Sequence, residues 1–181
     1  DCFRHQEWHG SDHPREDRAA FLVDALSSEF DQYLKAEHTA RDWLLLPLDG
    51  NRFRRPQYAW TTIGYARAKM FPWLTLKRAL VSRRLKAQGA ARQRALLRMD
   101  EELGIAFSKT LTIDTTHLVI AQNLLVPLWR SGALGGRTFD VLMHRLPMRD
   151  IQRRLDQAHA SYPESPTLAD FRADPAMGVV R

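Results

Sequence analysis

The feature that most constrains this chain is a basic segment, residues 51–98, which contains 13 Lys or Arg residues and no Asp or Glu. Residues 1–50 carry 5 Lys or Arg against 11 Asp or Glu, and residues 99–181 carry 9 against 10. The net charge of +6 therefore comes from the middle of the chain. Because solvated helices normally mix both signs, this run of cations indicates that negative charge opposes it, within the protein or on a partner.

The composition is typical of a globular protein, and the cysteine content favours a reducing compartment. Apolar residues make up 44% and charged residues 27% of 181 residues, enough to bury a core without disulfides. Cys2 is the only cysteine, which favours an intracellular location, in the cytoplasm or an organelle interior. The apolar runs are too short to span a membrane, and no signal peptide is visible. The chain begins with Asp rather than Met, as a processed or excised product would.

The spacing of apolar residues predicts an all-α fold with six or seven helices and little or no sheet. A first helix is expected from about Pro14 to Leu45, because apolar residues recur there every three or four positions. Pro47 would end this helix, and Pro56 would begin a second helix that reaches Met70. Further helices are expected over 74–85, 92–103, 115–128, 138–146 and 148–159.

The positions of glycine and proline residues along the chain predict a single domain. We expect one helical domain over 1–162, with the basic segment at its centre, and an extended C-terminal tail over 163–181 that contains one short helical stretch. Gly104 is a suitable C-cap for the helix before it. Residues 105–114 alternate weakly and predict a loop or a short strand pair.

The basic segment combines cations with aromatic residues, as nucleic-acid-binding surfaces do. Cations replace counterions along phosphates, and flat side chains stack on unpaired bases. Core packing is the simpler role for each aromatic residue taken alone. Anionic lipid heads, acidic protein segments or the acidic first part of this chain could also oppose the charge. The candidate contact residues are Arg52, Arg54, Arg55, Arg67, Lys69, Lys77, Arg78, Arg83, Arg84, Lys86, Trp60 and Trp73.

The amino-terminal end contains four side chains of types that bind zinc. They follow the pattern C-x2-H-x3-H-x3-H and are Cys2, His5, His9 and His13. The pattern fits no standard zinc finger, and Gly10 would interrupt a helix, so histidines in a disordered terminus or in an interface are the simpler interpretation. Asp114 with His117, and Asp140 with His144, could supply further ligands, but the chain has no Glu-x-x-His pair. We expect no cofactor.

Residues 139–158 could fold as a helix, a tight turn and a second helix that presents Arg149 and Arg153 to DNA. Pro147 stands in the turn without the usual glycine, which favours an ordinary helical hairpin.

The sequence thus favours a non-catalytic helical subunit of a larger assembly, such as a ribonucleoprotein or an organellar multisubunit complex. This subunit would dock on nucleic acid or on an acidic protein surface through the basic segment. One alternative is a sequence-specific DNA-binding protein that uses 139–158. Another is a helical metalloenzyme with His and carboxylate ligands. The absence of a convincing catalytic set favours a protein that is not an enzyme.

Overall fold

Five short segments pair side by side in a parallel sheet, in a computed structural model that describes residues 18–84, 90–144, 146 and 148–171. The strands are β1 (Arg18–Leu22), β2 (Trp43–Leu46), β3 (Arg67–Met70), β4 (Thr115–Ala121) and β5 (Thr138–Leu142). The helices are α1 (Ser28–Glu37), α2 (Pro72–Arg84), α3 (Ala90–Ser108), α4 (Leu125–Arg130), α5 (Met148–Ser161) and α6 (Pro166–Phe171).

The strand order is β3-β2-β1-β4-β5, and every pairing is parallel. This is the order of the first five strands of the doubly wound α/β fold. The chain builds outward from β1 to β3, then crosses back to place β4 on the other side of β1. The order therefore reverses between β1 and β4, and the loops that follow these two strands leave the sheet in different directions.

Both faces of the sheet are covered, as the parallel arrangement requires. On one face, Phe21 and Leu44 pack with Leu34 of α1 and with Trp60 from the segment between β2 and β3. On the opposite face, side chains of β1, β2 and β4 pack against α3, α4 and the short turn before α4. The buried members of this second cluster include Leu22, Leu45, Ile120, Leu103, Phe107, Leu124 and Leu128.

The predicted all-α fold is wrong, because the chain forms a five-stranded parallel sheet whose strands β1 and β2 are buried on both faces. A strand buried on both sides is a continuous apolar run rather than an alternating one, and periodicity alone does not separate it from a helix. The predicted first helix from Pro14 to Leu45 consists, in its described part, of β1, α1 and β2. Within this described part, the spacing of apolar residues corresponds to a helix only over Ser28–Glu37.

Three other predicted helices are also wrong. The segment from Pro56 to Met70 is a single 3-10 turn, a loop and β3. The segment 115–128 consists of β4, a 3-10 turn and the first residues of α4, and 138–146 contains β5. Because Thr138–Leu142 pairs with β4, residues 139–142 are a strand, and the predicted helix-turn-helix fold of 139–158 is wrong. By contrast, α2, α3, α5 and α6 lie where helices were expected.

Gly104 lies inside α3, so its prediction as a C-cap is wrong. A Cβ atom built at this position would lie 2.4 Å from Cβ of Pro127. Such a contact is far inside van der Waals distance, so only glycine lets α3 approach α4 this closely.

α2 and α3 run antiparallel and form a helical hairpin. The rings of Phe71 and Phe107 lie 5.0 Å apart, and Lys77 pairs with Glu102 at 2.7 Å. No described residue from Phe71 to Met99 is buried, whereas Leu103 and Phe107 belong to the core. The hairpin is therefore anchored at the end near Phe107 and extends away from the carboxyl edge of the sheet.

Candidate functional site

The carboxyl edge of the sheet is where open doubly wound folds bind their ligands, in the crevice where the strand order reverses. In this chain the reversal lies between β1 and β4. The segment after β1 begins with Val23 and Asp24, and a short turn, Gln122–Leu124, follows β4. The loop after β2 and the hairpin after β3 lie at the same edge. These four segments define the candidate site.

Asp24 is the centre of a buried polar network at this edge. Its residue exposure is 5%, and its carboxylate accepts hydrogen bonds from Arg78 Nη1 at 2.8 and 2.9 Å. Asn123 Nδ2 donates to the same carboxylate at 2.7 Å. Arg78 Nη2 donates to Asp100 at 3.2 Å, and Trp60 Nε1 donates to the backbone oxygen of Asp24 at 2.8 Å. The network joins the ends of β1 and β4 to both helices of the hairpin.

The electrostatics of this network favour a permanent ion pair. Burial alone would lower the pKa of Arg78, but the carboxylates of Asp24 and Asp100 outweigh it and raise the pKa. Burial also raises the pKa of the neighbouring Tyr58. The cavity beside Arg78, between α2 and α3, measures about 10 Å³, which is room for one water molecule. The network therefore holds the hairpin to the sheet.

The loop over Asp49–Tyr58, which we call the arginine loop, is folded tightly over Gly50. The Gly50 N–H donates to Tyr58 O at 2.9 Å, and the Arg55 N–H donates to Gly50 O at 2.8 Å. A Cβ atom at Gly50 would lie 2.2 Å from the oxygen of Arg55, so no other residue fits there without moving the backbone. Arg54 takes the left-handed conformation, with φ of 54°. This compact fold exposes the side chains of Arg52, Arg54 and Arg55.

Four of the predicted contact residues are already engaged within the protein. Arg78 belongs to the buried network, and Lys77 forms its ion pair with Glu102 across the hairpin. Lys69 donates to Thr110 Oγ1 at 3.1 Å. Arg67 lies at the amino end of β3, with its guanidinium 5.3 Å from the ring centre of Trp43. Within the described residues of the acidic amino-terminal part, Asp24 is thus opposed by Arg78, and no carboxylate forms a salt bridge with the arginine loop.

Five predicted contact residues remain exposed and form no salt bridge with any residue that the structure describes. They are Arg52, Arg54, Arg55, Arg83 and Arg84. Trp73 is 77% exposed and available, whereas Trp60 is 2% exposed and serves the core. Lys86 lies outside the described residues. The sequence prediction missed Asp24 and Asn123; their signal is that each follows an apolar run, which becomes visible once that run is assigned as a strand.

The predicted metal ligands do not come together in the described part of the chain. No group of three His, Cys, Asp or Glu side chains there could hold a metal ion. Cys2, His5, His9 and His13 all lie outside it. Asp114 pairs with Arg18 rather than with His117. His117 lies 2.8 Å from the hydroxyl of Thr138 and 3.3 Å from the carboxylate of Asp140, both on the neighbouring strand.

Protein-family models, curated proteins and solved structures were compared with this chain, and none of them matches it. Within the described residues, no helix combines the length and the apolar character needed to cross a bilayer. The candidate function therefore depends on the carboxyl edge and on its exposed cations.

Proposed function

We propose that this α/β chain is a non-catalytic binding subunit that docks on a polyanionic or acidic partner through the carboxyl edge of its sheet. The observation that carries the proposal is the set of exposed arginines without an acidic partner among the described residues. Three of them lie on the arginine loop after β2, and Arg83 and Arg84 lie on α2, which follows β3. Because β2 and β3 are neighbours in the sheet, both groups leave it at adjacent positions.

The physical support is the energetic cost of this arrangement in the free protein. Like charges that are close together repel one another, and exposed arginines without carboxylate neighbours gain no ion pairs in return. An anionic surface removes the repulsion and releases its own counterions. The tight fold of the arginine loop fixes the backbone of Arg52, Arg54 and Arg55 before binding, so little backbone entropy is lost. Guanidinium groups also match phosphate and carboxylate in planar, two-point contacts.

The test is salt-dependent binding to single-stranded RNA, to duplex DNA and to an acidic polypeptide. The variant carries Arg54→Gln, Arg55→Gln, Arg83→Gln and Arg84→Gln. With RNA, we expect its plot of log K against log salt to be shallower by about 0.7 for each lost phosphate contact. Arg153→Gln with Arg154→Gln removes adjacent exposed charges from α5 and should change the slope little. A wild-type protein that binds no anionic probe at low salt would refute the proposal.

A second candidate function is binding of a small polar ligand in the crevice between the segments after β1 and β4. The observation that favours it is the doubly wound strand order, with Asp24 and Asn123 beside the point of reversal. This support is an analogy of architecture, because a fold by itself does not determine function. Screening nucleotides and sugar phosphates by thermal shift tests it. A shift that Asn123→Ala abolishes would support this function, and a complete lack of shifts would count against it.

A further inference from the structure

The outer face of α2 carries a stripe of exposed apolar side chains. Trp73, Leu76 and Leu80 are 77%, 49% and 47% exposed. At 3.6 residues per turn, these three positions fall within about 60° of the helix circumference. Arg83 and Arg84 lie on the same side of the helix and are also exposed. One helix face therefore combines a tryptophan, two leucines and two arginines.

This face has no partner within the described part of the chain. The inner face of α2 makes the contacts with the protein, through Leu74, which packs on the core, and through Arg78 in the buried network. None of the residues of α2 is buried, and the helix contains no Asp or Glu. Contact with the other described residues therefore does not explain why large apolar residues occupy its outer face.

We infer that the outer face of α2 docks on the surface of an anionic lipid bilayer. Trp73, Leu76 and Leu80 would enter the interfacial layer, while Arg83 and Arg84 contact lipid phosphates. Tryptophan is enriched at the level of the head groups, and helices that lie in the membrane surface combine Trp and Leu with Lys and Arg. This inference rests on the proposed function, because it names the partner of the same basic surface.

The mixture of residues favours lipid over nucleic acid. Leucine contributes nothing to stacking on bases or to contacts with phosphates, so two exposed leucines would not strengthen the binding of nucleic acid. In a bilayer surface they are buried, and long cationic side chains next to them can extend to the phosphates. The charge is complementary as well: the basic segment has no acidic residue, and anionic leaflets attract clustered Lys and Arg. The hairpin extends from the sheet, so its outer face can reach a surface without hindrance from the core.

The first experiment measures cosedimentation of the full chain with vesicles. Wild-type protein should bind vesicles that contain phosphatidylglycerol and should bind pure phosphatidylcholine vesicles far more weakly. Arg83→Gln with Arg84→Gln should lower the partition coefficient on the anionic vesicles about 30-fold, since each charge near such a surface contributes about fivefold. The matched control, Arg153→Gln with Arg154→Gln, removes the same charge from α5 and should have little effect. An equal loss in both variants would overturn the inference.

The second experiment separates the apolar stripe from the charges. A variant with Trp73→Ser, Leu76→Ser and Leu80→Ser should lose at least about tenfold in binding to the anionic vesicles. It should keep the affinity of the wild type for single-stranded RNA or an acidic polypeptide, because no charge is altered. A control variant with Ile113→Ser and Trp129→Ser removes side chains that are 97% and 63% exposed elsewhere, and it should bind vesicles like the wild type. Circular dichroism of each variant verifies its fold.

The outcomes distinguish this inference from the proposed function. If the wild type binds RNA or the acidic polypeptide in a salt-dependent way but ignores anionic vesicles, the lipid inference is wrong and the proposed function stands. If it binds neither vesicles nor any other anionic probe, both are wrong. If the serine variant binds anionic vesicles as tightly as the wild type, binding is electrostatic only and the assignment to the α2 stripe is wrong.

Discussion

Arg78 belongs to the basic segment by sequence, but its environment separates it from its neighbours. Its side chain is 21% exposed and lies between two carboxylates that are themselves 7% and 12% exposed. A buried charge that loses its partner is strongly destabilising, whereas an exposed ion pair contributes at most about 1 kcal/mol. Lys77, one position earlier, forms a pair of that exposed kind, with side-chain exposures of 52% and 41%.

We therefore expect Arg78→Met to lower the free energy of unfolding by about 3 to 5 kcal/mol, because it removes the cation that neutralises the buried carboxylate of Asp24. Lys77→Met should cost about 1 kcal/mol or less. Urea unfolding monitored by circular dichroism measures both. Adding Asp24→Asn to Arg78→Met should recover part of the loss, since one uncompensated charge is removed. A loss for Arg78→Met as small as that for Lys77→Met would contradict a clamping role.

At the scale of single residues, the exposure of cations can be predicted from sequence better than their partners. Arg54, Arg55, Arg83 and Arg84 are exposed, because a run of cations without acids is solvated wherever it is not paired. The partner of Arg78 could not be predicted, because Asp24 is 54 positions away and only the sheet brings them together. Trp60 and Trp73 are indistinguishable in sequence, yet one is buried and the other exposed.

Among the elements, the packing of α3 on α4 depends on one glycine. Gly104 is in the middle of a helix, where replacement of glycine by alanine normally stabilises by about 1 kcal/mol. Here the added methyl group would lie 2.4 Å from Pro127 Cβ and 3.3 Å from its Cγ. The contact is with a rigid proline ring, which cannot turn away as a flexible side chain would.

A Gly→Ala substitution inside a helix usually stabilises a protein. We expect Gly104→Ala to destabilise this one by about 1 to 3 kcal/mol, the range for overpacking. Thermal unfolding of the two proteins measures the difference. The penalty should be smaller in a Pro127→Gly background, where the clashing atoms are absent. A stabilised Gly104→Ala variant would mean that α3 and α4 separate more easily than their packing indicates.

The elements that could be predicted from sequence are those with a solvent-exposed side. α2, α3 and α5 have polar positions at helical intervals, and their predicted positions are close to the observed ones. The strands β1 and β2 lack such a pattern, because almost all of their residues are buried. Their short apolar runs therefore show no alternation of apolar and polar residues. At such runs, pairing between segments that are distant in sequence determines whether a strand or a helix forms.

For the whole molecule, stability against acid should depend on Asp31. This residue ties α1 to the segment between β2 and β3, because its carboxylate accepts hydrogen bonds from Thr61 N at 3.0 Å and from Thr61 Oγ1 at 3.3 Å. Burial alone would raise the pKa of Asp31, but Lys35 and Thr61 outweigh it and lower the pKa. The folded pKa is then below the unfolded value of about 3.9, so the charge stabilises above that pH and the benefit disappears as the pH falls through the folded pKa.

Asp31→Asn should therefore lower the free energy of unfolding by about 1 kcal/mol at pH 7, with the difference from the wild type shrinking below about pH 4. Urea titrations at a series of pH values measure this difference. Glu101→Gln removes one exposed carboxylate from α3 and serves as the control, with little effect expected. A constant difference at every pH would show that Asp31 acts through shape rather than through charge.

The two outer strands of the sheet also bear on how copies of this protein behave in a crowded solution. β3 ends one side of the sheet and holds Arg67 and Lys69 within its four residues, and β5 ends the other side with Asp140. A free strand edge invites a second molecule to add to it, and lysine, arginine and acidic residues at the edge oppose this aggregation. We expect Arg67→Val to raise light scattering on prolonged storage, and an unchanged signal would exclude this protective role. The excess of cations in the middle of the chain thus also protects the β3 edge of the sheet against fibre-like assembly.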